Sequence, residues 1–185
     1  MQKTDTYLIQ WYGPFSSKED MKDWEDKKQD MVFNLYTFQA KRKGIKDKYY
    51  CGMAFEQTVG ERMKNKNHHI HEFEDQKTEL QIWIGTIANV KAKEYDVWVC
   101  ENIITSELAY LGVGDKNLKN KTNKEPPVNN VYIINEWWKK NEDELKRRTK
   151  GSVPDIVPEV MEYYKETKAL YGTKRLKHLG YLSKK

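Results

Sequence analysis

The feature that most constrains the fold is the run Leu80-Gln-Ile-Trp-Ile-Gly-Thr-Ile87. Its apolar residues are too closely spaced for a one-faced strand and the run is too short for a buried helix. It reads as a strand covered on both faces, central to a sheet. A chain of 185 residues with one such strand has room for one core and a smaller appendage. Charged residues make up 33% and apolar ones 38%. So polar a chain must build its core from large side chains, and six Trp and twelve Tyr supply them.

Around that strand the chain alternates between strand and helix signals. Thr6–Tyr12 reads as a strand closed by Gly13-Pro14, and Ser16 or Ser17 caps a helix running to about Gln29. Val32–Gln39 and Lys48–Ala54 read as two strands of an antiparallel hairpin across the basic turn Lys41-Arg42-Lys43-Gly44. A short helix over Thr58–Lys66 precedes a histidine cluster, His68, His69 and His71. Residues 94–111 read as a helix, 115–130 as a loop, and Val131–Ile134 as a short strand. The remainder reads as helix, broken at Gly151–Pro158 and resumed to about Leu170. The expected fold class is therefore α+β. A small central antiparallel sheet is flanked by helices and followed by a basic, helical C-terminal extension. The expected organisation is a strand and helix over 1–31 packed on a core over 32–130, then the extension over 131–185.

Composition excludes several classes. No stretch approaches the ~20 apolar residues of a membrane span, and the amino terminus lacks the layout of a secretory signal. Cys51 and Cys100 are too few for a disulfide framework or a cysteine zinc site. A Rossmann fingerprint, a phosphate-binding glycine loop and a GxSxG elbow are all missing. These readings point to a soluble, cytoplasmic protein. The net charge of +5 is uneven: residues 131–185 hold 13 Lys and Arg against 8 Asp and Glu, leaving 20 against 20 before them. Lys146-Arg147-Arg148 and Lys174-Arg175-Leu176-Lys177 are the densest basic runs. They suit a phosphate-rich partner, or serve as a solvated helix face.

Three features do not fit their setting. On the helix, Glu101 lies about 40° from Val97, inside the stripe made by Ile104, Leu108 and Leu111. A carboxylate there needs a cation, a route to water, or a shifted pKa. Tyr36 and Tyr50 share index parity, although the turn decides whether they share a face. Gly52, inside a strand, signals a bulge or a close backbone approach.

Taken together, these residues resemble the GIY-YIG endonuclease family. Asn34-Leu35-Tyr36 stands at the first motif and Tyr50-Cys51-Gly52 at the second, followed by Arg62, His68 or His69, Glu101, and then Asn120 or Asn117. Of the first motif only the tyrosine is kept, and Cys replaces Ile in the second. The resemblance implies metal-dependent hydrolysis of DNA phosphodiesters, with RNA left open. Tyr36 would be a tyrosinate base with its pKa lowered by nearby cations. Tyr50 would orient the water or hydrogen-bond the phosphate, Arg62 would neutralise phosphate oxygens, His68 or His69 would assist, and Asn120 would brace the glutamate-bearing helix or the phosphate. Glu101 would be the sole protein ligand of Mg²⁺ or Mn²⁺. The nucleic-acid contacts would be Lys146, Arg147, Arg148, Lys174, Arg175 and Lys177, with Trp137, Trp138, Tyr163 and Tyr164 among them either stacking on bases or packing in a core. Double-strand scission would take a homodimer or two sequential nicks. The competing readings are a catalytically inactive nucleic-acid-binding module and an adaptor for an acidic partner.

Overall fold

The computed structural model describes residues 3–43, 45–73, 78–108, 125–140 and 157–173. Seven strands form one sheet: β1 (Thr4–Phe15), β2 (Leu35–Arg42), β3 (Ile45–Met53), β4 (Glu79–Ile87), β5 (Asn130–Trp138), β6 (Val160–Tyr164) and β7 (Ala169–Thr173). Their order in space is β3-β2-β4-β1-β5-β6-β7. The described helices are α1 (Lys18–Glu25), α2 (Val59–Met63) and α3 (Glu94–Leu108), with a 3-10 turn at His69–Glu72.

This overturns the expected fold class. The sheet is neither small nor purely antiparallel, because β1 runs parallel to β5 from Thr4↔Asn130 to Tyr12↔Trp138. The described part of the C-terminal extension is strand, not helix. Along β5, Val131, Ile133, Asn135 and Trp137 are buried while their neighbours are half-buried, a period of two. Residues 160–173 form a hairpin, with Tyr164 opposite Ala169 across a turn where Lys168 takes φ +51°. Tyr132, Ile134 and Trp138 put apolar bulk on the less buried positions of β5 as well, so hydropathy hides the period of two.

The sheet has two covered faces. One carries Tyr7, Ile9, Trp11, Trp83, Ile133, Trp137 and Tyr163 against α3. The other carries Tyr12, Phe15, Tyr36, Phe38, Tyr50, Ile82 and Ile84 against α1, α2 and the 3-10 turn. β4, between β2 and β1, contributes to both, as its sequence predicts. Trp137 and Tyr163 are thus core residues, not stacking platforms. Trp11 stacks on Trp137 at 5.6 Å and donates its indole N–H to Asn135 Oδ1 at 2.8 Å, which ties the parallel pair together. None of the described helices is long and apolar enough to cross a membrane.

The β2–β3 hairpin forms as its sequence predicts, in the register Tyr36↔Gly52 and Phe38↔Tyr50. This pairing places both tyrosines on one face. Two helices then lock beside it. Thr58 and Glu61 make a reciprocal cap at the start of α2. The buried Glu25 of α1 accepts the Val59 N–H at 2.8 Å and the Gly60 N–H at 2.7 Å. A Cβ at Gly60 would stand 2.9 Å from Lys22 Cγ, so a larger residue would part α1 from α2. These contacts fix the helix that carries Arg62.

Candidate functional site

Four elements bring Tyr36, Tyr50, Arg62 and His68 together. Tyr36 has no exposed surface, and its ring stacks on Phe38 at 5.3 Å and on Tyr50 at 6.0 Å. A Cβ on Gly52 would lie 2.5 Å from Tyr36 Cζ and Oη, so only glycine lets the ring cross the neighbouring strand. This is the close approach that Gly52 signals in the sequence.

The Tyr36 hydroxyl lies 2.8 Å from His68 Nε2. His68 caps the 3-10 turn, and its Nδ1 accepts the Ile70 N–H at 3.1 Å. In the neutral ring Nδ1 therefore carries no proton, and Nε2–H donates to the phenol oxygen. Arg62, half-buried on α2, adds a second donor and a positive charge at the same oxygen. The Tyr36 O–H is left to donate towards Tyr50, whose phenol is stabilised in its charged form by that contact.

Burial decides how these groups ionise. It pushes the Tyr36 phenol far above its ordinary value, and Tyr50 beside it raises the pKa further. The Arg62 charge opposes this and loses. The expectation of a tyrosinate at Tyr36 is thereby corrected: at neutral pH this phenol is a donor. Tyr50 is also raised, first by burial and further by the charge of Glu101. His68 is pushed down to about 4, by burial first and then by Arg62.

Glu101 is buried in α3, as its place in the apolar stripe predicts, with 7% of its surface exposed. It belongs to the helix that packs against β3, next to Cys100, which faces the opposite core. Its charge nonetheless acts on the Tyr50 phenol. His69 is tied by Nδ1 to Glu72 Oε1 at 2.8 Å, and its ring lies 5.2 Å from that of Tyr50. The histidine bonded to Tyr36 is His68; three histidines within four residues gave no signal to separate them. The clamp by Glu25 left no sequence signal either. Asn120, Asn117, Lys146, Arg147, Arg148, Lys174, Arg175 and Lys177 lie outside the described residues.

A hard divalent cation binds through oxygen donors and keeps many of its waters when few are offered. Glu101 offers one carboxylate. Among the described residues, no three His, Cys, Asp or Glu side chains form a metal-holding group.

His68 makes the cluster sensitive to acid. Its unfolded value is near 6.5 and its folded value about 4, so between them the unfolded chain binds more protons. The His68 contribution to stability should be complete above pH 6.5 and lost as the pH falls towards 4, by on the order of 3 kcal/mol. Urea midpoints at pH 7.5 and pH 4.5 should show this loss. His68→Asn keeps an acceptor for the Ile70 N–H without titrating, and should flatten the profile. An unchanged pH slope in that variant would remove His68 as the cause.

No family model, curated protein or solved structure matches the chain.

Proposed function

We propose that this protein is a cytoplasmic, metal-dependent endonuclease that hydrolyses DNA phosphodiester bonds, with the Tyr36 cluster as its phosphate-binding centre. One observation carries the reading. Tyr36, Tyr50 and Arg62, with a neighbouring histidine, meet in one hydrogen-bonded group that the charge of Glu101 reaches. These residues come from β2, β3, α2, the 3-10 turn and α3.

In this reading Arg62 takes two non-bridging phosphate oxygens in its planar fork. Tyr50, less buried than Tyr36, donates its O–H to the phosphate. Tyr36 orients Tyr50 from below, and His68 with Arg62 orients Tyr36. These are donors set in place before the substrate arrives, which is the arrangement that stabilises charge developing in a transition state. Glu101 would hold Mg²⁺ or Mn²⁺. When bound, such an ion supplies Lewis-acid stabilisation of the leaving oxygen. The basic runs at 146–148 and 174–177 would grip the duplex, and double-strand scission would take two copies or two nicks.

A second reading has its own observation in favour. Tyr36 is wholly buried and protonated, and its hydroxyl is used within the cluster. A catalytically inactive nucleic-acid-binding module would look the same. Arg62→Ala separates the two. A nuclease loses 10²- to 10³-fold in cleavage rate on losing one such donor, whereas a binding module has no rate to lose.

A further inference from the structure

The face of β5–β7 turned away from the α3 core carries a second candidate site, far from the chemistry above in residue makeup. Glu162 pairs with Tyr132 on one side and Tyr171 on the other, and Tyr164 follows two residues along the same face. Met161, Tyr163 and Leu170 turn the opposite way, into the core. Tyr164 and Tyr171 remain 43% and 62% exposed, which is unusual for rings in a chain that uses its aromatics to build a core.

Their rings meet at 77° with centroids 5.8 Å apart, forming a corner with two aromatic walls. The hollow they share is lined by Asn130, Glu162, Tyr164, Glu166, Thr167 and Tyr171. The lining holds two carboxylates and no cation; the lysines of the adjoining turn, Lys165 and Lys168, are not part of it. The Tyr164 hydroxyl donates to Glu162 Oε2 at 2.7 Å, holding ring and carboxylate in place. Asn130 Oδ1 accepts the Lys165 N–H at 2.9 Å, which fixes the turn over the hollow.

Aromatic faces attract a cation through their quadrupole, and nearby carboxylates add to the attraction. The same carboxylates repel a phosphate backbone. We infer that this hollow binds an organic ammonium group, either the head of a lysine side chain or a small free alkylammonium. It stands apart from the nuclease reading and does not depend on it.

The test is NMR of the intact chain with ¹³C-labelled tyrosine rings. Tetramethylammonium chloride is titrated against sodium chloride at equal ionic strength, and an N-acetylated, C-amidated Gly-Lys-Gly peptide against the same capped peptide with norleucine. The expected result is a saturable shift of the Tyr164 and Tyr171 signals with the ammonium probes alone. Tyr171→Leu and Glu162→Gln should each weaken binding about fivefold or more, and Tyr171→Phe should keep it within about twofold. Both substitutions at 171 are at an exposed position, so an unchanged circular dichroism spectrum certifies the fold. Tighter binding of the peptide identifies a protein partner, and tighter binding of tetramethylammonium a free amine. Equal shifts with sodium, unchanged binding in Tyr171→Leu, or shifts with oligothymidylate in place of the ammonium probes would each overturn the assignment.

Discussion

Gly52→Ala should unfold at a lower urea concentration than wild type, for a loss of about 1–3 kcal/mol of stability, the usual cost of forcing atoms into a packed core. The added methyl would meet Tyr36 Cζ and Oη at 2.5 Å. Tyr36 has no free direction in which to yield, because Phe38, Tyr50 and His68 surround its ring. Any shift of the ring breaks the 2.8 Å contact with His68 and turns the hydroxyl away from Tyr50. Stability and phosphate chemistry should therefore fall together. Tyr36→Phe isolates the second effect, since it removes only the hydroxyl. The double variant Gly52→Ala with Tyr36→Ala should lose less stability than the two single losses added together, because the methyl no longer meets a ring. If Gly52→Ala folds and behaves as wild type, the ring is not held as described.

Glu101→Gln should lower metal-dependent cleavage by 10³-fold or more while leaving duplex binding unchanged. The substitution keeps shape and polarity and removes only the charge that would hold the ion, a term worth several kcal/mol in the transition state. Glu101 sits in α3 among buried neighbours, so stability needs to be measured alongside. A folded Glu101→Gln variant that cleaves at the wild-type rate would remove this residue as the metal ligand. Loss of duplex binding together with cleavage would assign it to binding instead.

Much of this centre was readable from the chain. The short turn between Val32–Gln39 and Lys48–Ala54 predicts a hairpin, and index parity admits Tyr36 and Tyr50 on one face; the register Phe38↔Tyr50 places them there. The angular position of Glu101 predicts its burial. Gly52 predicts a close approach, and the ring of Tyr36 makes it. What the chain conceals is non-local. The parallel pairing of Thr4 with Asn130 joins strands more than a hundred residues apart, and no local pattern announces it. Residues 131–138 alternate in burial, yet Tyr132, Ile134 and Trp138 on the less buried positions hide it, and in 160–173 most of the charge gathers in the turn, at Lys165, Glu166 and Lys168. The protonated state of Tyr36 depends on how deeply it is buried, which follows from the packing of four elements and not from the motif around it.

Hydrolysis of phosphodiesters by this cluster with a divalent ion is what the proposed function stands on. Its most direct test is incubation of the wild-type protein with a mixture of long duplex DNAs of unrelated sequence, in Mg²⁺, in Mn²⁺ and in EDTA. The expected result is strand breaks in one or both metals and intact DNA in EDTA. DNA that stays intact in both metals, or breaks that persist in EDTA, would contradict it.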